Sequence, residues 1–247
     1  MNDTNLLGVQ IKSQSKTYIL EKIIKFIHDP YAFFHIVSLN PENSMRAMND
    51  MEFQNILSEG DIQLIDGIGI ALGCAFLRIE TGERITGTDF IEILFKHLKL
   101  EGLRVLLLGG QPKLAEDLAV CYAHRYPQLV FKGHEGFRDI KHPTNTELDH
   151  ILALIKEYRP SIIFAAYGSP WQEKFFYCHK RELNGIVCMG VGGGFDFALG
   201  NISRAPALMR NIGLEWLYRL TLEPWRWKRQ CALIRFVIAV MRQKIFS

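Results

Sequence analysis

The feature that most limits what this chain can fold into is a rhythm. Six short apolar runs rich in β-formers, "FFHIVSL" (33–39), "IQLID" (62–66), "LRVLLLG" (103–109), "QLVFK" (128–132), "SIIFAAYG" (161–168) and "GIVCMGVG" (185–192), alternate with stretches of helical periodicity. The helical stretches cover 42–58, 68–78, 88–100, 112–126, 144–158 and 170–182. Strands that are apolar throughout, rather than at every second residue, need cover on both faces, and strand-then-helix order joins parallel neighbours by crossovers. The expectation is an α/β chain with a mainly parallel sheet and helices on both faces. An opening strand, "LLGVQI", and an amphipathic helix, "KTYILEKIIKFIHD", precede it.

The C-terminal segment breaks this pattern. From Arg204 onward nine basic residues stand against two acidic ones, so a chain of net charge +3 has a tail of +7 and a body of −4. Three of the four tryptophans, Trp216, Trp225 and Trp227, lie in the tail, beside the apolar run "CALIRFVIAVM". Those 11 residues, interrupted by Arg235, are too few to cross a bilayer, which takes roughly 20. Tryptophan mixed with Lys and Arg beside an apolar run suits the headgroup layer of an anionic membrane. The alternatives are a closing helix pair packed on the body, or a nucleic-acid surface; the crowding of tryptophans into the basic segment favours membrane contact. The boundary is expected at "SRAPAL", giving a core over 1–203 and a helical basic appendage over 204–247.

Five cysteines without a C-x-x-C pair, and an N-terminus without a basic-then-apolar leader, point to a reducing cytoplasmic setting. In a Rossmann-like sheet, ligands bind beyond the carboxyl ends of the strands, where helix N-termini offer free N–H groups. Polar and glycine residues crowd those ends here: "SLNPENS", "DGIGIA", "GGQP" with Gly109 and Gly110, "YGSPWQEK" and "GVGGGFDF". Taken singly, each has a structural explanation. Asn40 before Pro41 is a natural N-cap, and Asp66 before Gly67 a natural turn. "GVGGGF" lacks the last glycine of G-x-G-x-x-G, no Walker loop or G-x-S-x-G elbow occurs, and the eight histidines form no zinc-binding pattern.

Taken together, "SLNPENSM" (38–45), "DGIGIA" (66–71), "RITGTDF" (84–90), "LLLGGQP" (106–112), "YGSPWQEKF" (167–175), "GVGGGFDFALGNISRAP" (190–206) and "GLEWLYRL" (213–220) resemble, in this order, the WecG/TagA/CpsF family of bacterial glycosyltransferases. The resemblance covers nearly the whole chain. It implies transfer of a sugar from a UDP-sugar to a polyprenyl-diphosphate-linked saccharide, at the cytoplasmic face of the cell membrane, in cell-surface polysaccharide synthesis. It also implies a peripheral membrane protein with no cofactor and no nucleic-acid partner. A homo-oligomer is left open.

The departing UDP needs its charge stabilised, often by a metal on an Asp-x-Asp motif, and this sequence has none. The resemblance implies catalysis without a metal, so arginines and helix N-termini should stabilise the diphosphate; Arg84 in the body and Arg219, Arg226 or Arg229 in the tail are the candidates, and one carboxylate suffices for a single inverting displacement. Asp66 matches the family's general base, Ser38, Asn40 and Gln172 match residues lining the substrate pocket, and Asp196 matches one associated with uracil. Two departures stand out: Ser38 where threonine is common, and Phe137 near a frequent tyrosine. The competing classes are another nucleotide-sugar enzyme, such as an epimerase or dehydrogenase, and a non-catalytic UDP-sugar-binding membrane protein.

Overall fold

The structure, a computed structural model, describes residues 4–201, 204–206, 208–209, 213–222, 224 and 227–246, without the side chains of 219 and 228–230. The opening segment is a hairpin rather than one strand. β1 (Asn5–Leu6) and β2 (Val9–Gln10) pair antiparallel about Leu7 and Gly8, both with positive φ (52° and 91°). Positive φ at both central residues matches the twist of a two-residue hairpin turn, and Asn5 Oδ1 accepts from Gly8 N at 2.7 Å.

The expected strands follow: β3 (Phe34–Leu39), β4 (Ile62–Ile65), β5 (Leu103–Gly109), β6 (Leu129–His134), β7 (Ile162–Ala166) and β8 (Val187–Gly190). They form an all-parallel sheet in the order β4-β3-β8-β7-β5-β6. The helices are α1 (Lys16–His28), α2 (Pro41–Ala47), α3 (Met51–Glu59), α4 (Ile68–Leu77), α5 (Gly87–His97), α6 (Leu114–Arg125), α7 (Asn145–Tyr158), α8 (Trp171–Cys178), α9 (Gly194–Leu199), α10 (Glu215–Leu222) and α11 (Trp227–Phe246). The single helix expected over 42–58 is two. Asp50 takes an extended conformation and its Oδ1 accepts from Phe53 N at 3.0 Å, so a second N-cap interrupts the run and starts α3.

The chain divides into two compact units, one of Met1–Lys16, Ser38–Thr86 and Ser203–Ser247, the other of Thr17–Val37 and Gly87–Ile202. In the second unit the strand residues alternate between two covers, as the continuous apolar runs require. Leu106, Leu108, Ile163 and Ala165 pack with Ile151 and Ile155 of α7 and Phe175 and Phe176 of α8. On the opposite face Phe164 meets Phe95 of α5, which in turn stacks edge-on against Tyr122 of α6 and Phe131 of β6 at 5.2 Å each. These aromatic pairs add to burial through their edge-to-face geometry.

In the first unit α11 docks on α4. A side chain at Gly69 would stand 2.7 Å from Pro41 Cγ and 3.3 Å from Leu233 Cδ1, and one at Gly73 only 3.1 Å from Phe236 Cζ. Two glycines four residues apart thus clear a track on α4 for Leu233, Phe236 and Val240, the last two at 1% and 4% exposure. At its far end Gln243 clamps the hairpin, Nε2 donating to Asn5 O at 2.7 Å and Oε1 accepting from Leu7 N at 2.9 Å. The remaining faces of α11 stay exposed, including Ile234, Val237, Met241, Ile245 and Phe246.

Candidate active site

In the first unit, four of the sequence-predicted residues come together at the ends of β3 and β4. Asp66 follows β4, and its N–H donates to Leu39 O at 2.8 Å, which sets it beside Ser38 and Asn40 at the end of β3. Arg84 forms a parallel bridge with Ile65, the residue before Asp66, and Ile85 N donates to Ile65 O at 3.1 Å. The backbone positions of a carboxylate, a guanidinium, an amide and a hydroxyl residue therefore adjoin at these strand ends.

Local chemistry explains the positions. Asn40 caps α2: Oδ1 accepts from Asn43 N at 2.8 Å, and Pro41 occupies the first helical turn, where its missing N–H costs nothing. That leaves the Asn40 Nδ2 group as a donor with no acceptor among the described residues. Asn43 Nδ2 donates to Ser38 O at 3.0 Å and stiffens the same corner. Gly67, not Asp66, is the N-cap of α4, and its φ of 139° is one that few side chains tolerate. A carboxylate that reads in sequence as a turn or cap residue is thus not used to cap the helix that follows it.

In the second unit the predicted residues are Gly109, Gly110, Gln172 and Asp196. Gly109 and Gly110 both have positive φ (86° and 95°) and end β5 in a sharp bend. A Cβ on Gly109 would stand 2.6 Å from the ring of Tyr167, the residue after β7, whose burial raises its phenol pKa. Asp196 lies in the first turn of α9, downstream of Gly192 and Gly193.

Gln172 holds the most constrained position, at 3% exposure. Its Oε1 accepts from Gly168 N at 3.0 Å and from Gly192 N at 3.1 Å, tying the loop after β7 to the loop after β8. Its Nε2 donates to Glu173 Oε1 at 2.8 Å and lies 3.4 Å from Ser169 Oγ, while Ser169 Oγ donates to the same Glu173 oxygen at 2.7 Å. Gly190 makes the room, since a side chain there would collide with the Gln172 amide. Both ends of the amide are engaged within the protein, and Glu173, itself at 1% exposure, completes a buried cradle. The sequence prediction names Gln172 alone of this trio as a site residue; the Ser, Gln and Glu of "GSPWQEK", across the turn into α8, are the signal for the other two.

Of the tail candidates, Arg226 lies outside the described residues, as do the side chains of Arg219 in α10 and Arg229 in α11. Among the described residues no three His, Cys, Asp or Glu side chains gather as a metal site would require. The strand-end motifs fall within a match to the glycosyl transferase WecG/TagA/CpsF family that runs over residues 4–247. The chain belongs to that family. It is a glycosyltransferase, of the kind that builds cell-envelope polysaccharide. It is 29% identical over 210 residues to the N-acetylglucosaminyldiphosphoundecaprenol N-acetyl-beta-D-mannosaminyltransferase of Bacillus subtilis (strain 168), covering 85% of this chain and 79% of that one. It is 26% identical over 247 residues to the enzyme of the same name from Staphylococcus aureus (strain NCTC 8325 / PS 47), covering 98% and 94%. No helix among the described residues is long and apolar enough to cross a membrane.

Proposed function

We propose that this glycosyltransferase moves a sugar from a UDP-sugar to a saccharide carried on a polyprenyl diphosphate, by a single inverting displacement in which Asp66 is the general base. The observation that carries the reading is the β3–β4 cluster: a carboxylate not used as a helix cap beside an arginine and an amide donor. Asp66 takes the proton of the acceptor hydroxyl as its oxygen bonds to the anomeric carbon. The bond from that carbon to the diphosphate oxygen breaks, and its electron pair leaves with UDP. Inversion at an α-linked UDP-sugar gives a β-glycoside, the configuration in the relatives' names.

Arg84, with Arg219, Arg226 and Arg229, neutralises the charge that grows on the diphosphate, in place of a metal. Asn40 and Ser38 hold the sugars, Asp196 accepts from uracil N3–H, and the Gly109–Gly110 bend lets backbone approach the donor. Gln172 acts by fixing the loops at Gly168 and Gly192, since its own amide is engaged. The exposed stripe Ile234, Val237, Met241 and Ile245, with Arg242 and Lys244 beside it, is an amphipathic surface suited to an anionic bilayer.

The test is transfer itself. The purified chain is given UDP-hexoses, UDP-N-acetylhexosamines and UDP-uronic acids in turn, with a short-chain lipid-diphosphate N-acetylglucosamine and with EDTA present. Release of UDP matched by a longer glycan is the expected result, with an N-acetylhexosamine donor the leading case. Binding of UDP-sugars without turnover overturns the reading in favour of a non-catalytic binding protein, and activity abolished by EDTA and restored by magnesium overturns its metal-free step.

A further inference from the structure

The first unit holds a cavity of about 600 Å³ between α11, the end of α2 and the N-terminal hairpin. One wall is a face of α11, where Arg235, Ile238, Ala239, Arg242 and Phe246 recur at helical spacing; Met45 of α2, Met48 at its C-cap and the hairpin complete it. The lining contains no acidic residue, and the two arginines form no ion pair with a described residue. Met48 and Ile238, each 46% exposed, and Phe246, at 85%, leave apolar surface open to solvent along it. Such a trough accepts an apolar chain with an anionic end; thioether side chains adapt to a branched one.

Two placements identify the occupant. Leu233 meets Pro41 and Gly69, one residue from Asn40 and three from Asp66, so the beginning of the α11 track lies against the β3–β4 cluster. From there α2 runs from its cap at Asn40 to Met45 and Met48, which puts the methionines about 8–12 Å along the helix at 1.5 Å per residue. The groove also opens beside the apolar stripe of α11, because Val237, Met241 and Ile245 each precede a lining residue on the same helix. A chain leaving a bilayer along that stripe and ending in a diphosphate near Asp66 would lie in this groove. We infer that the groove receives the isoprenoid chain of the lipid-diphosphate acceptor, with Arg235 at its diphosphate end and Phe246 at its distal end. This rests on the acceptor class proposed above.

The experiment uses the full chain and two water-soluble acceptors that share the diphosphate-linked sugar but carry either a farnesyl chain or a methyl group, without vesicles. The expected KM is about tenfold lower for the farnesyl acceptor. Ala239→Trp fills the groove from α11 and Met48→Trp fills it from α2 at a half-exposed position; each raises the farnesyl KM to the methyl value and leaves the methyl KM within about twofold. Equal KM values in the unmodified protein, or equal effects of the variants on both acceptors, overturn the assignment. A parallel measurement follows a fluorescent farnesyl diphosphate binding without donor. Saturable binding lost in both Trp variants upholds the groove even where no sugar is transferred, which separates its failure from that of the transfer reading. Displacement of the probe by a lysophospholipid as readily as by unlabelled farnesyl diphosphate overturns it in favour of a bilayer-lipid site.

Discussion

At the ends of β3 and β4, Asn40 caps a helix with its carbonyl oxygen and keeps its amide donors, and Asp66 leaves the capping of α4 to a glycine. At the ends of β7 and β8, Gln172 engages its oxygen with two backbone N–H groups and its nitrogen with a buried carboxylate. In the proposed reading the first corner meets the substrate; the second uses its functional groups to hold two loops in register. A buried amide with filled valences cannot bind a ligand without breaking bonds that cost about 1–3 kcal/mol each to leave unmade. Both corners serve one sheet, yet one is suited to chemistry and the other to rigidity.

The largest expected difference between the two corners is at Asp66. Asp66→Asn removes the proposed base and keeps the shape of the side chain, so transfer should fall by a factor of about 10² to 10⁴, some 3–5 kcal/mol of barrier, with UDP affinity and melting temperature unchanged. Steady-state kinetics beside a UDP titration makes the test. Turnover near that of the unmodified protein would mean that the β3–β4 corner is as structural as the other.

The sheet was legible in the sequence because five of its six strands are near-continuous buried runs, the edge strand β6 being the exception, and polar or glycine-rich turns follow the strand ends. What was not legible depended on local competition. The break between α2 and α3 rests on whether Asp50 bonds its own chain or faces solvent, and an interior of uniform helical periodicity hides that choice. The opening hairpin depends on two positive-φ residues that "LLGVQI" does not announce. At the site, Asp66, Asn40 and Gln172 stood out equally as polar residues at strand ends. That Gln172 is saturated depends on Gly168 and Gly192 arriving within 3.1 Å of one oxygen, a tertiary fact. The tail reads in sequence as basic and membrane-facing, and α11 does carry exposed apolar residues; its docking on Gly69 and Gly73 was written in two glycines at helical spacing.

The next effect in size separates the two amides. Gln172→Ala strands two N–H groups and leaves a void beside Glu173, so stability should drop by about 2–4 kcal/mol, a melting shift of roughly 5–10 °C. Asn40→Asp keeps an N-cap oxygen and loses the free donor; stability should change by less than about 0.5 kcal/mol while transfer falls about tenfold. Thermal melts and KM values for both variants cross the comparison. A Gln172→Ala protein that melts normally but loses donor affinity would show that Gln172 meets the substrate directly.

The smallest expected effect concerns a buried polar side chain that the chemistry does not use. His35 on β3 is 3% exposed, its ring 5.3 Å from that of Phe33 and 5.8 Å from that of Phe176 on α8, and burial lowers its pKa from 6.5 to about 3. The folded state holds it neutral while the unfolded chain takes up a proton below pH 6.5, so its contribution is intact above that pH and is lost as pH falls toward 3. Between pH 6.5 and 5 the loss is about 2 kcal/mol, at 1.36 kcal/mol per pH unit. Urea titrations at pH 7 and pH 5 should show His35→Phe losing about 2 kcal/mol less than the unmodified protein over that interval. Because Phe176 belongs to the helix that carries Gln172 and Glu173, acid should loosen the β7–β8 cradle through His35, and Gln172→Ala should make the midpoint at pH 5 lower still. Parallel acid dependence in the His35→Phe and unmodified proteins would assign the acid sensitivity to carboxylates elsewhere and leave the cradle independent of the histidine behind it.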